Sequence, residues 1–554
     1  MTEAMRVHTK FGEWIVMRDG VCLSADLTTP EGEGPFPTVV VRTPYGKNSK
    51  AWVDQARGFA RHGYAMVVAD VRGRGDSQGT FDPYVQEGPD GYDTIEWAAE
   101  QPWCSGKVGT LGNSYLARSQ WLTALLRPPH LAAMIVGVTP SDPFVEWPTG
   151  VPTPHHLAWL FLTSGRMVQP SDIVDWERVY AHLPLRTMDA AAGRVMAKWQ
   201  EELDHPCLDD YWKRTLYQTR YDEVDLPIMH ISGWYDDEQV GTPRNFAGMS
   251  QSARTERARR SQKLIMGPWA HAINTTQKLG EVDFGPQSLI DLQAMYLRWF
   301  DYFLKGEDNG IVHEPPVSLF VMGTNTWRQE REWPLARATY AKYYLHSGGR
   351  ANSSYGDGVL GPTRPQSEPS DEYAYDPLRP VPFITELTSA QIGGPDDYAA
   401  IERRDDVLVY TTEPLVDAME VTGPIAVELY AATDALDTDF TAKLVDVWPT
   451  GFAQRITDGM VRLRFREGME RPELAEPGKV YRLEIDCWYT AHVFLPGHRV
   501  RLEIASSAFP KYDRNPNTGD PLGETDRTIR ARQRIFHDER YPSALILPII
   551  PGDA

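Results

Sequence analysis

The segment Gly109-Thr110-Leu111-Gly112-Asn113-Ser114-Tyr115-Leu116-Ala117 carries the sharpest chemical signal in the chain. A short apolar run at 108–111 enters a Gly-x-Ser turn, and a helical stretch follows over 115–126. A serine on such a strand-to-helix turn is lifted clear of a sheet, with the next backbone N–H free to hold an oxyanion, as in a nucleophile elbow. The same position also suits a serine that merely caps the helix. Gly112 fits a turn that a side chain would crowd, but Leu116 stands where the generic GxSxG pattern has its second glycine.

A serine hydroxyl is a weak nucleophile until a base takes its proton, so the reading requires a histidine oriented by a carboxylate, in the chain order Ser, Asp, His. Of 14 histidines, His271 follows the apolar run 264–266, and Asp236 follows the run 228–231. Singly, an aspartate or histidine after a strand is more often a cap or a surface residue. Together with Ser114, in order and each after a strand, they form a candidate triad.

These positions depend on a particular frame. Strand-like runs at 38–41, 65–69, 108–111, 132–138, 228–231 and 264–266 alternate with helical stretches, the pattern of a mostly parallel sheet covered by helices. Ligand sites in such sheets lie at the carboxyl ends of the strands. Over 142–221 the strand signal stops, and helical stretches such as 173–181 and 188–202 are broken at Pro152, Pro154, Pro170 and Pro184. That insert reads as a helical cap walling a substrate pocket, with Phe144, Trp147 and Trp159 as apolar lining or simply as core.

After a helix over 287–304 the pattern turns to short strands, at 317–322, 425–431, 441–447, 480–487 and 500–505, which argues for a β-sandwich or jelly roll. The Gly, Ser, Pro and Asn-rich stretch 348–370 reads as an exposed loop. The expected fold is therefore α/β with a C-terminal all-β domain: a catalytic domain from 1–143 and 225–310, a cap over 144–224 and a jelly roll over 311–554.

Composition narrows the function further. The 554 residues carry 56 Lys+Arg against 76 Asp+Glu, a net charge of −20, which speaks against nucleic acid as a partner. The basic run at 254–263 also contains Glu256 and reads as a solvated helix face. With 17 Trp, 25 Tyr and 18 Phe the chain is a folded, multidomain protein and not a disordered one. The 4 cysteines are scattered without a CxxC, and no signal-type or membrane-spanning apolar run is evident, so a cytoplasmic address away from the membrane is expected. The Gly-rich stretch 72–76 lacks the Lys-Ser/Thr pair of a phosphate cradle and reads as a structural loop. His155-His156 and Asp204-His205 lack metal-ligand spacing, and no metal or cofactor is expected.

Several stretches together resemble the cocaine esterase and X-Pro dipeptidyl-peptidase group of α/β-hydrolases, the CocE/NonD-like family. They are Met17-Arg18-Asp19-Gly20-Val21, Arg42-Thr43-Pro44-Tyr45-Gly46-Lys47, Asp70-Val71-Arg72-Gly73-Arg74-Gly75-Asp76-Ser77 and Gly112-Asn113-Ser114-Tyr115-Leu116. Further along come Gly233-Trp234-Tyr235-Asp236, Gly267-Pro268-Trp269-Ala270-His271, Asp439-Phe440 and Phe509-Pro510-Lys511-Tyr512-Asp513-Arg514-Asn515. The matches run in order over nearly the whole chain. The resemblance implies an α/β-hydrolase core, a helical cap and a C-terminal jelly roll. It also implies Ser114 as nucleophile, His271 as base, Asp236 as the orienting acid, and an oxyanion hole from the Tyr45 phenol and the Tyr115 N–H.

Two departures stand out. Ala117 replaces a common glycine, and Asp236-Asp237-Glu238 sets carboxylates where the cocaine esterase type has an apolar pocket residue. The related α-amino-acid ester hydrolases hold a substrate ammonium with acidic residues near this point, and Glu238 matches one of them. Asp237 and Glu238 either bind such an ammonium or face solvent or another domain. The expected activity is hydrolysis of small esters, extending to amides, through an acyl-enzyme. The alternatives are an X-Pro dipeptidyl-peptidase, an α-amino-acid ester hydrolase, an acyltransferase using the same triad, or a non-catalytic sugar-binding scaffold. The expected partners are a small ester or amide substrate and a second copy in a homodimer.

Overall fold

A computed structural model of the chain describes residues 6–142, 153–388 and 393–552. Its first sheet contains β1 (Val7–Val16), β2 (Cys22–Pro30), β3 (Phe36–Thr43), β4 (Ala65–Asp70), β5 (Cys104–Asn113), β6 (Leu131–Gly137), β7 (Ile228–Gly233) and β8 (Gln262–Gly267). The spatial order is β1-β2-β4-β3-β5-β6-β7-β8, followed by the strands Val317–Val321 and Thr326–Glu330. From β4 to β8 neighbours run parallel, and every residue of β4, β7 and β8 is buried. Such strands are covered on both faces, which is why they read as mostly apolar runs without regular polar alternation, although β7 buries His230 and Ser232 and β8 buries Gln262 and Lys263.

Alternation within those runs divides the core into two layers. Val39, Val41, Met66 and Val68 pack with Phe59 of α1 (Lys50–Arg61) and with Trp299 and Phe300 of the helix Leu292–Phe300. Val40, Ala65 and Val67 face the other way, toward Ile95 of α2 (Glu87–Ala99) and Trp121 of α3 (Tyr115–Ala124). Successive side chains of a strand point to opposite faces, so three consecutive valines serve both layers.

The strand Val317–Val321 departs from the sequence reading. It pairs parallel with β8, Val317 opposite Leu264, and forms a hairpin with Thr326–Glu330. The start of the expected C-terminal domain at 311 therefore does not coincide with the edge of the first sheet. An apolar five-residue run carries no mark of which sheet it joins, and the open edge of β8 supplies the partner.

The insert between β6 and β7 is helical among its described residues, with helices Pro154–Thr163, Trp176–Ala181 and Ala197–Leu203 around a core of Trp176, Tyr180 and Trp199. The predicted helix over 188–202 is broken: Met188–Ala191 stops before Gly193 at φ 88°, and Ala197–Leu203 follows. Asp175 caps the helix Trp176–Ala181 by accepting from the Arg178 amide, so this helix begins later than the apolar pattern suggested. The second large sheet has 11 strands, is antiparallel apart from the contact of Val359 with Thr411, and encloses Leu345, Phe440, Ile485, Leu502 and Leu545. The strand Val359–Gly361 lies inside the stretch expected to be an exposed loop, and Ala351 there is buried. No helix among the described residues is long and apolar enough to cross a membrane.

Candidate active site

Four loops at the carboxyl edge of the sheet, following β3, β5, β7 and β8, bring the candidate residues together. Ser114 stands between β5 and α3 with φ 58° and ψ −127°, a conformation that costs any residue with a side chain. Its amide donates to Gly137 O at 2.9 Å, and its carbonyl accepts from the Ala117 and Arg118 amides at 2.8 and 3.1 Å. Its hydroxyl makes no cap hydrogen bond, so the helix-cap reading of this serine does not hold. The turn is tight: a Cβ on Gly112 would lie 2.4 Å from the Leu116 Cβ.

The loops after β7 and β8 are fastened to each other. The Trp234 amide donates to Gly267 O at 2.9 Å and the Tyr235 amide to Trp269 O at 3.0 Å. This approach requires Gly233, where a Cβ would fall 2.0 Å from Trp269 O. The result is a fixed pair: His271 Nδ1 donates to Asp236 Oδ1 at 2.8 Å. The Asp236 carboxylate is fully buried, and it accepts from the Glu238 amide at 3.1 Å and from Ser232 Oγ at 2.7 Å. Ser232 carried no sequence signal; only its place at the end of a strand leading to an acidic turn could have suggested it.

Asp237 and Glu238 face the imidazole, not bulk solvent. Asp237 Oδ1 lies 3.3 Å and Glu238 Oε2 3.9 Å from His271 Nδ1. Burial alone would lower the His271 pKa, yet Asp237, Glu238 and Asp236 together raise it well above the usual histidine value. Asp237 is itself pushed up to about 6 by burial, with His271 opposing and Asp236 reinforcing the rise. Asp236, Asp237 and His271 offer donor atoms within 4.8 Å of one another, the one such group among the described residues.

Tyr45 follows β3, and its phenol oxygen accepts from Trp159 Nε1 at 3.0 Å, with the Ser114 hydroxyl as a further partner. Burial pushes the phenol pKa up to about 12, so it keeps its proton at neutral pH. Trp159, expected as an apolar wall, thus also serves as a donor. Tyr115 is the first residue of α3, where an amide has no acceptor within the helix. Its ring packs against Tyr84 at 4.5 Å and Trp159 at 5.8 Å, and its hydroxyl donates to Glu87 Oε1 at 2.8 Å. Phe144 and Trp147 lie outside the described residues.

Ser114, His271, Asp237, Glu238 and Trp159 line one cavity of about 140 Å³. Its remaining walls include cap residues His156 and Glu202, joined at 2.8 Å, and Trp488 and Lys511 from the C-terminal domain. Lys511 Nζ donates to Asp458 Oδ2 at 2.7 Å and lies 4.6 Å above the Trp488 ring, and burial lowers its pKa. Lys511 belongs to a motif visible in the sequence, but nothing local shows that it reaches the cavity.

Comparison with known proteins agrees with this frame. The family model described as X-Pro dipeptidyl-peptidase (S15 family) matches residues 19–273, and that of the X-Pro dipeptidyl-peptidase C-terminal non-catalytic domain matches 309–546. Cocaine esterase of Rhodococcus sp. (strain MB1 Bresler) is 37% identical over 567 residues, covering 97% of each chain. An aminopeptidase from a marine sediment Thaumarchaeota archaeon is 25% identical with a TM-score of 0.86, covering 100% of this chain and 97% of that one. An α-amino acid ester hydrolase shares the fold at 24% identity, with a TM-score of 0.87 and coverage of 99% and 97%.

Proposed function

Since this chain belongs to the X-Pro dipeptidyl-peptidase (S15) family of hydrolases, we propose that it is a serine esterase whose triad is Ser114, His271 and Asp236. The observation that carries the proposal is the strained Ser114 lining the same cavity as an imidazole already fixed by a buried carboxylate. Likeness to cocaine esterase favours esters over amides. The strand-rich C-terminal domain is read as a jelly roll that closes one side of the cavity.

In this mechanism Ser114 Oγ attacks the substrate carbonyl carbon while its proton passes to His271 Nε2, since Nδ1 is committed to Asp236. The negative charge that develops on the carbonyl oxygen is met by the Tyr45 O–H and the Tyr115 N–H. One well-aimed donor in such a site is worth about 3 kcal/mol of transition-state stabilisation. The tetrahedral adduct collapses, the bond to the leaving oxygen breaks, and that oxygen takes the proton from His271 Nε2. Water attacks the acyl-serine ester by the same route, giving the acid and free Ser114. Asp236 keeps the imidazole in the required tautomer, and Asp237 and Glu238 add negative charge beside the imidazolium formed in each step.

The test is labelling with a fluorophosphonate together with hydrolysis of a nitrophenyl butyrate. Wild type should label and turn over, and Ser114→Ala should do neither while keeping its fold; labelling that persists in Ser114→Ala would assign the nucleophile elsewhere. A second reading, hydrolysis of α-amino acyl substrates, is favoured by Asp237 and Glu238 lining the cavity. A marked preference for an amino-acyl nitrophenyl ester over the neutral one would select it.

A further inference from the structure

The cap and the proposed oxyanion hole are connected through specific atoms. Trp159, on the cap helix Pro154–Thr163, donates its indole N–H to the Tyr45 oxygen at 3.0 Å. Four residues on, the carbonyl of Thr163 accepts from Arg74 Nη1 at 2.6 Å, and Arg74 Nε donates to Pro44 O, next to Tyr45, at 2.8 Å. Arg74 is completely buried, and among the described residues its guanidinium bonds to these backbone carbonyls and to no carboxylate. Beside it, the Gly75 amide donates to Arg166 O at 2.7 Å and Arg166 Nη2 donates to Gly75 O at 3.0 Å. The Gly-rich stretch 72–76 thus clasps the Tyr45 loop to the cap.

We infer that Trp159 is a positioning residue for the Tyr45 phenol, and that the Arg74 clasp holds both in register, so that the oxyanion hole is complete only when the cap helix is docked. This rests on the proposed role of Tyr45. A phenol is free to rotate its hydroxyl hydrogen about the C–O bond. An N–H delivered to one side of the oxygen leaves the phenol proton to point elsewhere, which on this inference is toward the substrate oxyanion that forms beside Ser114. Accepting a hydrogen bond also polarises the phenol, which makes its own O–H a better donor. The indole never touches the substrate oxygen; it acts through Tyr45.

The experiment is a double-mutant cycle of Trp159→Phe and Tyr45→Phe on nitrophenyl butyrate, with rates counted per site titrated by a fluorophosphonate. Tyr45→Phe should lower kcat about 100-fold, as removal of an oxyanion donor does. Trp159→Phe should lower kcat about five-fold, the scale of one net hydrogen bond, and leave KM nearly unchanged. The double variant should be no slower than Tyr45→Phe, since the indole has nothing left to orient. A boronic acid, whose adduct places an oxygen in the same hole, should weaken in Trp159→Phe by a factor similar to that in kcat.

If Trp159→Phe keeps its kcat while Tyr45→Phe loses it, the positioning role is wrong and the oxyanion role stands. The same holds if the two losses multiply in the double variant. If Tyr45→Phe itself retains kcat, both fail. Should Trp159→Phe not fold, Trp159→His takes its place: its ring N–H should retain more kcat per titrated site than Trp159→Leu, and equal rates in the two would overturn the inference.

Discussion

His271 Nδ1 lies between two aspartates, 2.8 Å from Asp236 Oδ1 and 3.3 Å from Asp237 Oδ1, so the candidate base carries more negative charge beside it than an orienting carboxylate alone provides. The cationic form of the imidazole is favoured. A general base must be neutral to accept a proton, so kcat/KM should rise with pH and still be climbing above the ordinary histidine range. Asp237→Asn and Glu238→Gln should each move that acid limb to lower pH. A pH profile of kcat/KM for the three proteins checks the direction; unmoved limbs would mean that neither carboxylate senses the base.

Ser232 Oγ donates to the Asp236 oxygen that His271 does not use, at 2.7 Å. Removing it by Ser232→Ala leaves a buried carboxylate one bond short, and the orienting acid is then less well fixed. A hydrogen bond to a charged group is worth about 1.5–3 kcal/mol, so kcat should fall at least about tenfold. Steady-state kinetics with the neutral ester measures this.

The backbone of Ser114, at φ 58° and ψ −127°, is the mirror image of an ordinary extended conformation, which glycine adopts without strain. Ser114→Gly should therefore be inactive yet more stable than wild type by about 1 kcal/mol. Chemical denaturation read at the catalytic domain would show the midpoint rising. A fall would mean that the serine is not strained.

Gly112→Ala should act in the opposite sense. The added methyl would meet the Leu116 Cβ at 2.4 Å, so the elbow must shift. Overpacking of this kind costs about 1–3 kcal/mol, and the expected outcome is a lower denaturation midpoint together with a loss of fluorophosphonate labelling at Ser114.

Glu238→Gln separates the two substrate readings. For an esterase of neutral acyl groups the ratio of kcat/KM between a butyryl and an α-amino acyl nitrophenyl ester should change little. For an amino-acyl hydrolase the amino ester should lose at least about tenfold, the size of a buried charge-assisted bond.

The order of Ser114, Asp236 and His271 was legible in the sequence because each directly follows a buried parallel strand, and in such sheets the carboxyl ends converge. Tyr45 has the same placement, two residues after β3, but a tyrosine there could equally be core, and only the resemblance pointed to its hydroxyl. Asp237 and Glu238 were visible as charges, but their direction was not, since a turn of the same sequence can present them to water or to the imidazole. Lys511 and Trp488 are separated from Ser114 by most of the chain, and no periodicity reports which face of a later domain meets an earlier pocket. The strand Val317–Val321 was recognisable as a strand, whereas its partner β8 is a property of the assembled sheet.

That last pairing bears on how such proteins can be inherited. The first sheet is finished by a hairpin encoded after residue 311, and the cavity takes a wall from Lys511 near the end of the chain. Recombination at the apparent seam between the two halves would split a sheet and unroof a pocket in one event. The halves are therefore expected to descend together, and a transplanted C-terminal half would have to bring both a matching edge for β8 and a matching lining for the cavity.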